Sequence, residues 1–231
     1  MNQTALRNLS VGEIVTNDFR TASIFKNAGI DFCCGGKQSF QEACIEKGID
    51  QNKLIEQFEK LEGLHNSSLN FKDWDPAFLS DYIVNTHHKF VLKSLPELLF
   101  YTNKIASVHG EHHPELVEIE SLFSQINKEL FQHLKNEEEV LFPAIKEMLT
   151  NPSETLKKVI VSEIERMFGE HDFAGGAMDK INKISNNYYV PDDACNTYRV
   201  AFKMLEQFED DLHIHVHLEN NILYPKALKL P

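Results

Sequence analysis

The sequence predicts an all-α protein. An up-down four-helix bundle fills residues 75–231, behind a small three-helix domain at 1–63 and a linker at 64–74. Three observations predict it. After Pro76 the apolar residues recur at helical three-four spacing with little strand-type alternation. Glycine and proline are few, 10 and 8 of 231 residues, and several sit where helices should begin or end. Each long apolar stripe is also interrupted at one place by metal-ligand side chains.

The first domain is punctuated clearly. A helix from Leu9 to Ala28 should end at Gly29, which suits a left-handed cap. Residues 30–37, Ile-Asp-Phe-Cys-Cys-Gly-Gly-Lys, form a loop. Ser39 with Glu42 makes a capping box for a second helix that stops at Gly48. Asp50 caps a third, running to Gly63. Leu64 to Asp73, with Asn66, Ser67, Ser68 and Asn70, is the linker. Asp75-Pro76 then supplies a capping carboxylate and a first-turn proline. Bundle helices follow at 76–108, 114–148, 154–186 and 194–228, with loops at 110–113, 151–153 and 187–193.

The inward stripes read Val84, His88, Val91, Leu95, Leu98, Thr102, Ile105 in the first helix. In the second they read Ile119, Phe123, Ile126, Leu130, His133, Glu137, Val140, Ala144. The third gives Ile160, Ile164, Met167, His171, Ala174, Met178, Ile181, and the fourth Tyr198, Ala201, Leu205, Phe208, Leu212, His215, Glu219, Ile222. In an antiparallel hairpin, residues equidistant from the turn lie side by side. His88 and His133 are equidistant from the 110–111 bond, His133 and His171 from Pro152, and His171 and His215 from Asp193. The four histidines therefore share one layer, with Glu137 and Glu219 one turn on, roughly 6 Å along the same face.

A repeated pattern strengthens the reading. Residues 133–143, His-Leu-Lys-Asn-Glu-Glu-Glu-Val-Leu-Phe-Pro, match residues 215–225, His-Val-His-Leu-Glu-Asn-Asn-Ile-Leu-Tyr-Pro, and His88-Lys-Phe matches His171-Asp-Phe. The bundle looks like a duplicated helical hairpin. Four imidazoles and two carboxylates buried in an apolar core are costly unless something binds them. Two divalent ions would do so, with two histidines on each and both glutamates bridging. Imidazole and carboxylate suit Fe, Mn or Zn, and open coordination positions make the site reactive or labile. A hydrogen-bonded polar layer that only fixes register is the plainer alternative.

Other residues fall outside this centre. His87 leads to Ser80, Ser94 and Glu97 along its face and is expected to point outward. His213 and His217 lie about 200° from His215 and read as a surface pair. His109 is on the first stripe but roughly 30 Å along the helix from His88. His112 and His113 are loop residues, His65 is in the linker, and Cys44 and Cys195 are expected to pack rather than react. A His-Asp phosphohydrolase reading of His171-Asp172 lacks a basic phosphate loop. A ferritin-type site would need Glu-x-x-His pairs on core helices, and Glu62 with His65 is off the bundle.

The net charge of −12 disfavours nucleic acid and anionic membranes as partners. No stretch approaches a membrane span, and the N-terminus lacks a basic start with an apolar run, so a reducing cytoplasm is the expected location. Cys33 and Cys34 are adjacent, which favours no disulfide framework. They are expected in a flexible loop near the surface, where Lys37 could lower a thiol pKa. There they would relay electrons, capture nitric oxide or hand on iron. Anchoring the small domain by packing is the alternative.

The two His-x-x-x-Glu motifs at 133–137 and 215–219 resemble those of a hemerythrin-like domain. Asp31-Phe-Cys-Cys-Gly-Gly-Lys37 resembles the small domain that precedes such bundles in the repair-of-iron-centres (RIC) family. The resemblance covers nearly the whole chain. It implies a non-haem centre of two Fe ions with an oxo or hydroxo bridge, held by His88, His133, Glu137, His171, His215 and Glu219. It implies repair of iron–sulfur clusters damaged by nitrosative or oxidative stress, with damaged or apo iron–sulfur proteins as partners and labile iron as the cargo. The competing class is gas chemistry, binding or sensing oxygen or nitric oxide, or an enzyme of nitric oxide reductase type. Whether the chain forms a homodimer stays open.

Overall fold

The computed structural model describes residues 6–62 and 69–231, and no strand occurs among them. The expected end of the small domain's third helix at Gly63, and linker residues 64–68 with His65, lie outside the described residues, as do residues 1–5. The chain divides into two compact units, Met1–Leu79 with Val216–Lys229, and Ser80–His215 with Leu230–Pro231.

The first unit begins with α1 (Val11–Asn17) and α2 (Thr21–Asn27), so the single helix expected from Leu9 to Ala28 is two. Asp18 causes the break. Its backbone is extended, and its carboxylate accepts from the Arg20 guanidinium at 2.6 Å and the Arg20 amide at 3.1 Å. A side chain that satisfies local amides offers the chain an alternative to continuing the helix. Gly29 takes φ +64° after α2, as its position required. Ser39 and Glu42 form the capping box of α3 (Phe40–Lys47), which Gly48 ends in the left-handed region. α4 is Gln51–Glu62, with the Asp50 carboxylate accepting from the Asn52 amide. Phe25, Phe40 and Phe58 form its aromatic core. The linker reading stops short at its far end. Phe71–Asp73 is a 3-10 turn whose buried Phe71 packs between Phe19 and Trp74.

The bundle helices lie mostly in the second unit, while the start of the first helix, up to Leu79, and the end of the last, from Val216, belong to the first. α5 (Pro76–Ile83) opens under the Asp75 cap, which accepts from the amides of Ala77 and Phe78. It continues through a π-helical turn, Val84–His88, into α6 (Lys89–His109). α7 (Glu115–Asn136) passes through π-helical Glu137–Leu141 into α8 (Phe142–Thr150). α9 (Glu154–Ile184) is uninterrupted. α10 (Asn196–Leu218) passes through π-helical Glu219–Leu223 into α11 (Tyr224–Ala227).

The π turns correct the strict stripes. A π turn inserts an extra residue and rotates what lies beyond it. Val140, expected inside, is 40% exposed, and Leu141 takes its place in the core. Val84 is only half-buried, while Leu79 and Ile83 are fully buried. Two of the turns have a legible cause. Pro143 and Pro225 each follow a π segment by one residue, and a proline ring displaces the carbonyl four residues back.

Candidate metal centre

Helical register brings His88, His133, Glu137, His171 and His215 together, all at most 2% exposed. His88 Nδ1 donates to Glu138 at 2.8 Å, and His133 Nδ1 donates to Glu170 at 2.7 Å. A carboxylate only accepts, so each Nδ1 carries a proton, and in the neutral ring each Nε2 is the lone-pair nitrogen that a metal would use. Those lone pairs converge. Glu137 Oε2 lies 3.3 Å from His88 Nε2 and 3.2 Å from His133 Nε2, and His171 Nε2 lies 3.2 Å from His133 Nε2. Glu219 opens the π turn that follows His215 on the same helical run, and it is fully buried.

The ligand atoms fall into two overlapping quartets, each within 4.8 Å: His88, Glu137, His215 and Glu219, and His133, Glu137, His171 and Glu219. Both glutamates are common to the two. The spacing fits metal chemistry better than hydrogen bonding. Donors ~2.1 Å from one ion and about 90–109° apart stand ~3.0–3.4 Å from each other. Lone pairs of acceptor atoms at that separation repel unless a cation lies among them. Carboxylates on Nδ1 also fix the ring and raise the basicity of Nε2, the usual support of a ligating histidine. The same contact to His133 holds the Glu170 carboxyl below its ordinary pKa.

Those supporting carboxylates were not found from sequence. Glu138 and Glu170 each neighbour a stripe residue, and that adjacency was the only signal. His87 was misplaced. It is 3% exposed, donates from Nδ1 to Asp211 at 2.9 Å, and stacks on His215 with ring centroids 5.6 Å apart. The π turn ending at His88 turns both neighbouring imidazoles inward.

His217 was also misplaced, being fully buried in the first unit. Its Nδ1 donates to the Phe32 carbonyl at 3.1 Å, and burial lowers its pKa to about 4. Asn221 donates to the Cys33 carbonyl at 3.0 Å. The Cys-Cys-Gly-Gly loop is thus pinned to the turn that carries Glu219. A Cβ at Gly36 would lie 2.6 Å from Asn221 Oδ1 and 2.8 Å from the Phe32 carbonyl, so this position needs glycine.

The expectation of a flexible surface loop is therefore corrected. Cys33 is 4% exposed. Asp31 accepts from the amides of Cys33, Cys34 and Gly35 at 2.8, 3.1 and 2.7 Å, and from the Cys33 thiol at 3.1 Å. The Cys34 sulfur 4.0 Å away, burial, and the Asp31 carboxylate push the Cys33 pKa well up, opposite to the lowering expected from Lys37. Asp31, Cys33 and Cys34 also group their ligand atoms within 4.8 Å.

Cys195 is exposed rather than packed. It precedes α10 and lies 3.1 Å from His109 Nε2. His109 and the amides of Tyr198 and Thr197 lower its pKa to about 7. His113 gains partners in Glu115 and Asp193. Cys44 is fully buried, as expected.

Residues 80–227 match the hemerythrin HHE cation binding domain, and residues 7–62 match ScdA_N, a domain of unknown function (DUF542). The iron-sulfur cluster repair protein ScdA of Staphylococcus epidermidis is 32% identical over 219 residues, covering 94% of this chain and 96% of its own. The chain belongs to the hemerythrin HHE family and, within it, to the ScdA and YtfE group. The iron-sulfur cluster repair protein YtfE of Pectobacterium atrosepticum is 33% identical, with 97% of this chain and 99% of the relative covered. YtfE of Yersinia pestis is 33% identical over 223 residues. No helix among the described residues is long and apolar enough to cross a membrane.

Proposed function

We propose that this chain repairs iron–sulfur clusters and carries two iron ions as cargo between His88, His133, Glu137, His171, His215 and Glu219. The observation that carries the reading is the pair of buried quartets sharing Glu137 and Glu219, with carboxylates already set behind His88 and His133. The naming of the ScdA and YtfE relatives as iron-sulfur cluster repair proteins supports repair as the destination. Bound as a pair, the ions would supply a solvent-derived bridge and open positions for a small ligand.

The residues' own chemistry favours release. Six protein donors shared between two ions do not saturate either one. Protons compete with the ions for the same imidazole and carboxylate donors, so affinity falls as pH drops. The cysteine loop holds the helix turn of Glu219 through His217 and Asn221. Cys33 and Cys34 are proposed as a redox or iron relay acting there. The partners are damaged or apo iron–sulfur proteins in the cytoplasm.

The test mixes iron-loaded protein with an apo iron–sulfur protein, sulfide and a thiol, and follows cluster absorbance beside a ferrous-salt control containing a chelator. Cluster formation that survives a chelator too large to enter the bundle supports direct transfer. Complete block by that chelator, or release no faster than from a storage protein, rejects it. Stopped-flow spectra of the reduced protein with nitric oxide and oxygen then test the gas-chemistry reading, with nitrous oxide production as its mark.

A further inference from the structure

One imidazole beside the histidine layer is prepared as His88 and His133 are, yet belongs to neither quartet. His87 Nδ1 donates to the Asp211 carboxylate at 2.9 Å, just as His88 donates to Glu138 and His133 to Glu170. In the neutral ring, Nε2 of His87 is then the lone-pair nitrogen. That nitrogen is shut off from solvent and has no hydrogen-bond partner among the described residues.

The other neighbours of His87 are rings. Tyr82 meets it edge-on with centroids 5.9 Å apart, and His215 lies parallel to it, 10° between planes and 5.6 Å between centroids. Asp211 and His215 stand four apart on α10, so one helical face both fixes the His87 ring and carries the ligand it stacks on. A buried acceptor without a donor is costly. No described side chain offers Nε2 a proton, whereas an imidazole backed by a carboxylate is the usual support for binding a first-row divalent ion. His87 therefore stands ready as a ligand one ring away from His215, outside the set that holds the ion.

We propose that His87 is an exchange ligand for iron, which takes over the ion of the His88 and His215 pair as the bond to His215 opens. One iron–nitrogen bond forms at His87 Nε2 and one breaks at His215. Oxidation state is unchanged, and no proton moves, because Nδ1 keeps its hydrogen on the Asp211 side. Exchange through a donor already in place spares the ion a step with a missing ligand, and so speeds its exit. The part this plays in delivery rests on the cargo reading above. The exchange of ligands does not.

The experiment follows iron leaving the anaerobically loaded full-length protein for an excess of a small ferrous chelator, by stopped-flow absorbance. His87→Phe keeps a ring against His215 and removes the nitrogen. The faster release phase is expected to slow roughly tenfold. The sign separates exchange from damaged packing, since a loosened centre loses metal faster. In a second arm, Co²⁺ affinity is measured by chelator competition in His215→Ala protein. There His87 stands in for the missing ligand, so adding His87→Phe should lower affinity roughly tenfold further. Circular dichroism and thermal melts check that each variant is folded. Asp211→Asn keeps the ring, weakens its support and should slow release by a smaller factor. It decides the question by itself if His87→Phe does not fold. Release as fast as wild type or faster from the folded variant overturns the proposal, as does an equal Co²⁺ affinity of His215→Ala with and without His87→Phe. Failure of the cargo reading would show instead as wild-type protein that builds no cluster on an apo acceptor, and it leaves both of these readouts intact.

Discussion

The bundle centre and the cysteine loop both set a carboxylate against a metal-ligand side chain, with opposite results. In the centre, Glu138 and Glu170 accept hydrogen bonds from Nδ1 of His88 and His133, which leaves Nε2 of each ring as the atom for a cation. In the loop, Asp31 accepts from the Cys33 thiol itself. The Cys34 sulfur and burial, with the Asp31 carboxylate adding to them, hold the proton on Cys33 and push its pKa well above the ordinary range. The placement of the acid, one atom behind the ligand or directly on it, separates a ready donor from a masked one.

Removing a ligand common to both ions should have the largest effect. Glu137→Leu takes one oxygen from both quartets and is expected to lose most of the bound metal, read as iron per chain by elemental analysis. Retention of near wild-type iron would remove Glu137 from the centre.

Removing only the supporting acid should cost less. Glu170→Gln keeps the shape behind His133 but weakens the pull on its Nδ1 proton. The expected loss is roughly 10–100-fold in metal affinity, measured by competition with a chelator of known affinity. The loop's packing gives the next effect. Gly36→Ala forces a Cβ into Asn221 and the Phe32 carbonyl and should destabilise by about 1–3 kcal/mol in denaturant unfolding.

Unmasking the thiol is the smallest and most local change. Cys34→Ser should lower the Cys33 pKa, and Asp31→Asn should lower it less, following the order of their influence. Alkylation followed by peptide mapping across pH reads both. Cys195 is the internal standard, since its thiolate should form as pH rises through about 7, and His109→Leu should move that midpoint toward the ordinary thiol value of 9.0. A Cys195 profile untouched by His109→Leu would assign its low pKa to the helix N-terminus alone.

Much of the centre was legible because helical register is a one-dimensional rule. Equal distance from a turn places His88, His133, His171 and His215 at one level whatever surrounds them. The same rule failed at Val84 and Val140, where π turns shifted the phase, although Pro143 and Pro225 had marked two of those turns.

The four long helices, the caps at Ser39, Gly48 and Asp75, and the layer of metal-ligand side chains follow from the order of residues alone. Each depends on local conformational preference or on spacing within and across a hairpin. Packing of distant segments buries His87 and His217, sets Asp31 and Cys34 against the Cys33 thiol, and brings Cys195 to His109. Burial and pKa depend on neighbours far away in the chain, and a helical face that looks polar in sequence stays solvated only if nothing packs against it.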